Sequence, residues 1–319
     1  MQRFKNIAVI CDEDSEAQAA LNRAQELAIA NGATVTLLHV IDTSPGDLAR
    51  ILSSLPTARS TEIADQIKAY HADRLADLAK PMLKAGVTAQ TKLLEGTAFI
   101  EIIKHVMINK HDLVIKGVHD EGSDAGLLSK GYDLHLLRKC PCPVWMVKDT
   151  DAPSSGNILA AVDPATDDET RAGLNKMVME MSTSLAAIDK AHLHIVNVWH
   201  LQEEHLLRSG RFAISKPEID SILGKEEAAS RARFDDLLKD FPETDSPRTT
   251  CHIKGLAADA IPAYAAEHGI DTIVMGTVGR TGISGLFIGN TAEAILNTVN
   301  CTVLAVKPPG FRSPVASAT

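Results

Sequence analysis

Apolar segments of the first half of this chain recur in the same order in its second half, and this repeat constrains the fold more than any other feature. One constant offset relates three pairs of landmarks: Gly96 and Gly255, Gly117 and Gly276, and Cys142 and Cys301. A chain of 319 residues also exceeds the usual size of one hydrophobic core. The sequence therefore predicts two copies of one unit, with domains at residues 1–149 and 156–309, a polar linker between them and a tail at 310–319.

Segments rich in β-branched and apolar residues alternate with segments of helical period in both halves. Strands are predicted at 6–12, 34–40, 92–96, 112–117, 142–148, 157–163, 192–198, 252–255, 271–276 and 301–307. Helices are predicted at 17–31, 63–85, 98–109, 169–190, 225–239, 257–268 and 291–300. Buried strands joined by helical crossovers are typical of an α/β fold, so each half is expected to form an open five-stranded parallel sheet with helices on both faces.

The composition argues against several classes of protein. A net charge of −9 leaves no basic surface for a phosphate backbone, so no nucleic-acid partner is expected. The apolar run near the amino terminus is too short for a signal peptide or a membrane span, which predicts a cytoplasmic protein without a membrane partner. The five cysteines form no Cys-x-x-Cys pair, so reduced thiols are favoured over zinc or redox chemistry at Cys140 and Cys142.

The most informative segment for function is the glycine-rich stretch 276–291, which follows the fourth strand of the second half. Glycines let main-chain N–H groups converge on an anion, and the next helix adds the positive end of its dipole. Asn290 and Thr291 stand where that helix begins and can cap it or donate to a phosphate, and Arg280 can supply a counter-charge. An ordinary surface loop with ordinary caps explains the same pattern.

Asp163 ends the first strand of the same half. Ligands of open parallel sheets bind at the carboxyl ends of the strands, near the point where the strand order reverses. A carboxylate there can accept a hydrogen bond from a ribose hydroxyl or an adenine amine. A turn formed with Pro164 is the alternative role of this residue.

These residues carry a resemblance to a known family. The spacing Gly276-x2-Gly279-x9-Gly289, followed by a small polar residue, is similar to the ATP-binding pattern of universal stress proteins, as are Asp163 and the strand ending Ile-Val-Asn-Val198. The resemblance covers both halves, and segments 136–148 and 276–284 resemble the bacterial tandem type E in particular. It implies a Rossmann-like, adenine nucleotide alpha hydrolase-like fold with strand order 3-2-1-4-5 in each half.

The resemblance also implies a nucleotide site with ATP and Mg²⁺ as its ligands. Asp163 and the main chain of Val198 are expected at adenine and ribose, with Pro164 and Met275 beside them. The ribose and phosphates are assigned to Gly276, Gly279 and Arg280, and the terminal phosphates to Gly289, Asn290 and Thr291. Asn290 departs from the family pattern, which commonly has serine or threonine there, but a side-chain amide can still donate.

The first half has lost this glycine pattern. At the constant offset, Gly279 and Arg280 correspond to Asp120 and Glu121, whose carboxylates repel phosphates, so no triphosphate is expected in this half. His119, Asp120 and His135 are candidate ligands for zinc or another divalent ion. Solvated loop residues and a histidine on a helix face are the favoured alternative, because the spacing matches no closed metal motif.

Three functions remain open from the sequence. The favoured one is a nucleotide-binding stress or regulatory module with slow or no hydrolysis. A weak ATPase is the second, although the chain has no Walker lysine pattern and no evident general base or nucleophile, so no catalytic residue is assigned. The third is a scaffold for a metabolite other than ATP, which the apolar connectors 44–56 and 201–223 are long enough to cover.

The last strand of each half has a continuous apolar face and is expected at a sheet edge, which needs a partner. In similar proteins these edges pair, which would make the two halves an internal pseudo-dimer of the kind that duplication of a dimeric ancestor leaves. The sequence leaves open whether two chains associate into a homodimer.

Overall fold

The structure is a computed structural model that describes residues 4–12, 14–43, 54–118, 131–148, 156–164, 169–209, 212, 214–242, 245–277 and 288–315. The strands within these residues are β1 (Asn6–Ile10), β2 (Thr34–Ile41), β3 (Thr88–Glu95), β4 (Leu113–Val118), β5 (Val144–Lys148), β6 (Asn157–Val162), β7 (His192–Trp199), β8 (Arg248–Lys254), β9 (Thr272–Gly276) and β10 (Thr302–Val306). The helices are α1 (Asp14–Asn31), α2 (Thr57–Lys84), α3 (Ala98–Asn109), α4 (Asp133–Lys139), α5 (Glu169–Asp189), α6 (Glu204–Arg208), α7 (Lys216–Lys239), α8 (Ala257–Glu267) and α9 (Asn290–Thr298).

The predicted α/β fold class is confirmed. Each half contributes five parallel strands, and the complete order is β3-β2-β1-β4-β5-β10-β9-β6-β7-β8. The two expected sheets are joined into one, because β5 and β10 pair antiparallel with Trp145 opposite Leu304. In both halves the strand order reverses between the first and fourth strands, so a crevice opens at the carboxyl ends of β1 and β4 and again at those of β6 and β9.

Helices cover both faces of the sheet, and each face has its own apolar core. Successive residues of a strand point to opposite faces, so Val9 joins the core beneath α1, α2, α5 and α7, whereas Ile10 joins the core beneath α3, α4, α8 and α9. Burial on both faces explains why these strands are apolar without alternation. Each large aliphatic side chain buried in this way stabilises the fold by about 1.5 to 3 kcal/mol.

Several element bounds differ from the sequence prediction. β3 and β8 begin earlier than predicted, at Thr88 and Arg248, because their half-exposed polar residues hide the strand pattern. The predicted connector at 201–223 contains α6 and the start of α7, which begins with a capping box between Ser215 and Glu218. Helix α4 was not predicted, since seven residues are too few to reveal a helical period. Most of the connector 44–56 lies outside the described residues.

All five cysteines are free thiols, and the Cys140 and Cys142 Sγ atoms lie 3.6 Å apart in the apolar core. No helix in the described part of the chain has the length and apolar composition needed to cross a membrane.

Candidate functional site

The candidate site lies at the carboxyl ends of β6, β7 and β9. The central strand of the three is β6, which pairs with β7 on one side and with β9 on the other. Parallel pairing brings the carboxyl ends of these strands to one edge, which is where Val198 near the end of β7, Gly276 at the end of β9 and Asp163 after β6 lie. Gly279 and Arg280 lie outside the described residues.

Two buried asparagines hold the end of β6. The Asp163 main-chain N–H donates to Asn175 Oδ1 at 2.9 Å, and Asn175 Nδ2 donates back to the Asp163 carbonyl at 2.8 Å. Asn197 Nδ2 donates to the Val162 carbonyl at 3.1 Å. The Asp163 residue itself is exposed, so its carboxylate is presented to solvent from a main chain that is fixed on both sides. The role of Asn197 was not predicted, although a polar residue within the apolar strand Ile-Val-Asn-Val198 could have indicated it.

Polar side chains of α7 and β8 form hydrogen bonds that hold this edge of the sheet. Ser230 Oγ donates to Asn197 Oδ1 at 3.4 Å and lies 3.0 Å from His252 Nε2. Burial lowers the pKa of His252, with nearby Arg231 adding to the effect. Arg233 Nε donates to the Pro164 carbonyl at 3.2 Å, which fixes the residue after Asp163 as well.

The two ends of the glycine-rich segment are tied together at Thr277. The Gly289 N–H donates to the Thr277 carbonyl at 3.0 Å, and the Thr277 N–H donates to the Val306 carbonyl at 3.2 Å. Gly276 has a packing role, since a Cβ atom there would lie 2.5 Å from Leu174 Cδ2 on α5. A larger residue at position 276 would therefore require the Leu174 side chain to move.

Helix α9 begins at this edge without a side-chain cap. Its N-cap is Gly289, with φ −63° and ψ 140°, and Asn290 and Thr291 are exposed on its first turn. The first N–H groups of a helix have no acceptor within the helix, and glycine provides no side-chain oxygen for them. These donors and the helix dipole make the amino end of α9 suited to an anion. Glu293 in the same turn is neutralised by Arg138 of the first half, at 2.8 Å.

The equivalent crevice of the first half is filled by the chain itself. The Lys116 ammonium, 1% exposed, lies 3.1 Å from Asp133 Oδ1 and 3.8 Å from Asp12 Oδ2. Asp133 is completely buried in the first turn of α4, and the Tyr132 hydroxyl donates to Asp12. At the constant offset, Lys116 corresponds to Met275 and Asp133 to Ala292, so the second half has no such pair. This cluster was not predicted from the sequence, although a lysine after the apolar residues Leu-Val-Ile, at Lys116, could have indicated a buried ion pair.

Of the three candidate metal ligands, one lies within the described residues. His135 lies on α4, where its ring stacks on Phe99 with centroids 4.4 Å apart. Burial lowers the pKa of His135, and the cations Lys139 and Arg138 lower it further. His119 and Asp120 lie outside the described residues, and the described residues contain no group of three or more side chains arranged to hold a metal ion.

Comparison with known proteins gives a consistent result. The family model described as "Universal stress protein family" matches residues 3–148 and again residues 155–307. Universal stress protein E of Salmonella typhi is 31% identical over 324 residues, which cover 99% of this chain and 98% of that protein. The protein of the same name from Escherichia coli K12 is 31% identical over 325 residues, with the same shares covered.

Solved structures share the complete two-part architecture. A protein of unknown function from Pseudomonas aeruginosa PAO1 superposes with a TM-score of 0.72 at 26% identity, covering 96% of this chain and 94% of that one. A universal stress protein from Archaeoglobus fulgidus superposes with a TM-score of 0.61 at 17% identity, covering 94% and 98%, a likeness of fold alone.

Proposed function

The chain belongs to the universal stress protein family, and on that premise we propose that its second half binds an adenine nucleotide, ATP with Mg²⁺, at the carboxyl edge of β6, β7 and β9. The observation that carries this proposal is the uncapped amino end of α9 beside the fixed strand end at Asp163. The amino end of α9 would bind the phosphates, and the strand end at Asp163 would bind the nucleoside. The sheet topology brings both to one crevice.

The phosphates would bind at the glycine-rich segment and α9. The main-chain N–H groups of Asn290, Thr291 and the residue after them are first-turn donors, whereas the Gly289 N–H is already used by Thr277. Gly289 has no side chain and therefore provides no capping oxygen to those donors. From the sequence, Gly276 and Gly279 would line the same path and Arg280 would supply positive charge.

The nucleoside would bind between the ends of β6 and β7. The β6–β7 register ends at Val162 and Asn197, whereas β7 continues to Trp199 along β8. Val198 thus lies past the end of β6, where a main-chain carbonyl can accept from a ligand. Asp163 would accept from a ribose hydroxyl, with Pro164 and Met275 forming the adjacent walls.

The exposed groups at this edge also suit a magnesium ion. Mg²⁺ prefers oxygen ligands and usually binds through phosphates and one or two protein groups. The Thr291 hydroxyl and the Asn290 amide oxygen are oxygens of that kind. When bound, the ion would neutralise charge on the phosphates.

The binding would be restricted to the second half and would serve regulation more than turnover. In the first half, the buried ion pair of Asp133 and Lys116 lies at the start of α4, so a phosphate would have to displace it. No catalytic residue is assigned, since the chain has no Walker lysine pattern, and we propose slow or no hydrolysis. The β5–β10 pairing supports an internal pseudo-dimer in which nucleotide occupancy of one half acts on both.

An Asp163→Ala variant tests this proposal. Because Asp163 is assigned to the nucleoside, its loss is expected to weaken Mg-ATP binding by about ten- to hundredfold, the usual effect of losing a hydrogen bond to a charged group. Binding of inorganic tripolyphosphate should stay unchanged or rise slightly, because it has no ribose and a negative charge is removed. Equilibrium dialysis with both ligands measures this, and an equal loss for both would contradict the assignment of Asp163.

A further inference from the structure

Lys307 is a buried lysine that connects the two halves of the chain next to the candidate site. It directly follows β10 and is 3% exposed. Its Nζ donates to Thr277 Oγ1 at 2.7 Å, to the Leu137 carbonyl, and to the Arg138 carbonyl at 3.4 Å. An ammonium group has three donors, and burying it is costly unless they are satisfied. Burial lowers the pKa of Lys307 to about 8.

The acceptors belong to different parts of the fold. Leu137 and Arg138 lie in the last turn of α4, in the first half, where helix carbonyls have no partner within the helix. Thr277, completely buried, is the residue from which the glycine-rich segment departs, and its carbonyl also receives the Gly289 N–H. Lys307 therefore fixes the base of the glycine-rich segment, and through Gly289 the start of α9, against a helix of the other half.

The equivalent lysine of the first half provides an internal comparison. At the constant offset Lys307 corresponds to Lys148 and Thr277 to Val118. Lys148 also reaches across to the other half, where its ammonium donates to Asn300 Oδ1, but Val118 has no hydroxyl to offer it. The contact between a lysine and a strand-end hydroxyl thus occurs in the half with the glycine-rich segment and is absent from the half whose crevice is filled.

A second contact from α4 reaches the same region. Arg138 pairs with Glu293 at 2.8 Å, in the first turn of α9, and both side chains are about one-third exposed or less. Helix α4 therefore reaches the base of the glycine-rich segment through Lys307 and the first turn of α9 through Arg138. Helix α4 begins at Asp133, in the first-half crevice. Its last turn therefore supports the candidate site of the second half.

We propose that Lys307 is a positioning residue for the nucleotide site, and that helix α4 of the first half is the platform against which Lys307 holds Thr277. The inference rests on the proposed function, because it concerns how that site is kept in its binding geometry. In this proposal the first half does not bind the nucleotide itself but orders the phosphate-binding elements of the second half. Holding these elements in place before binding lowers the ordering cost of the bound state.

Replacing Lys307 with methionine tests the inference, with Lys148→Met as the matched control. Both changes remove a buried ammonium at equivalent positions, so both are expected to lower the melting temperature. Only Lys307→Met is expected to weaken Mg-ATP binding, by about tenfold or more, because it alone removes the ammonium that connects Thr277 to α4. Equal affinities in the two variants would overturn the inference.

A change at Thr277 keeps the test decisive if Lys307→Met does not fold. Thr277→Val preserves shape and leaves the Lys307 contacts to Leu137 and Arg138 in place, but it removes the hydroxyl. It is expected to weaken Mg-ATP binding, whereas Thr277→Ser, which keeps the hydroxyl, should bind like the wild type. Wild-type affinity in Thr277→Val would overturn the inference, while failure of the wild-type chain to bind would refute the proposed function and the inference with it.

Discussion

Replacement of Gly289 with aspartate is expected to abolish nucleotide binding while leaving the fold at least as stable as the wild type. The N-cap conformation, φ −63° and ψ 140°, is open to any residue, and aspartate is among the best N-caps. Its carboxylate would accept from the first-turn N–H groups that the phosphates need, and it would repel those phosphates. Loss of these donors together with charge repulsion should cost about a hundredfold or more in Mg-ATP affinity. Equilibrium dialysis and thermal unfolding of the same preparation measure both effects.

A second aspartate at another helix start is the control for the added charge. Leu256 is the N-cap of α8, is 54% exposed and makes no side-chain cap. Leu256→Asp should stabilise its helix in the same way and leave Mg-ATP binding unchanged. If Gly289→Asp bound Mg-ATP as tightly as Leu256→Asp, the amino end of α9 would not be the phosphate site.

Lys116→Met is expected to destabilise the fold strongly. Removal of the ammonium leaves Asp133 buried without its counter-charge and takes a cation away from Asp12. Breaking a buried pair by deleting one partner costs about 3 to 5 kcal/mol of unfolding free energy. The double variant Lys116→Met with Asp133→Ala should recover most of this loss, because it removes both charges and copies Met275 and Ala292 of the second half. Urea unfolding of the three proteins gives the comparison.

An exposed lysine serves as the control for this cycle. Lys80 pairs with Asp77 on α2, where both side chains are about 70% exposed, so Lys80→Met should change the unfolding free energy by less than about 1 kcal/mol. A loss of that size in Lys116→Met, or a double variant no more stable than the single one, would contradict the description of the first-half crevice as closed by a buried ion pair.

The sequence predicted the features that depend on local pattern or on the repeat. Strand and helix periodicity, together with the constant offset, was sufficient to predict two similar α/β units with a parallel arrangement of strands. The lack of a triphosphate site in the first half was inferred from Asp120 and Glu121, which lie outside the described residues, whereas the described residues show an ion pair of Lys116 and Asp133 in the equivalent crevice. That pair joins a strand to a helix too short to be predicted, and only tertiary structure brings them together.

Contacts between distant segments were likewise beyond the sequence. Thr277 and Lys307 both follow strands, and nothing in their local patterns indicates that one ammonium connects the hydroxyl to α4. Gly276 was interpreted as a residue that admits a phosphate, whereas its nearest constraint is Leu174 of α5. A glycine pattern in a sequence indicates positions where a side chain would not fit. The folded structure is needed to identify the neighbouring residue that occupies the space.

The central claim is that one half of this chain binds a nucleotide and the other does not. The most direct test is a calorimetric titration of Mg-ATP into the full chain, repeated with Gly289→Asp. We expect saturable binding of one nucleotide per chain in the wild type and none in the variant. No binding in the wild type, two nucleotides per chain, or unchanged binding in Gly289→Asp would contradict the claim.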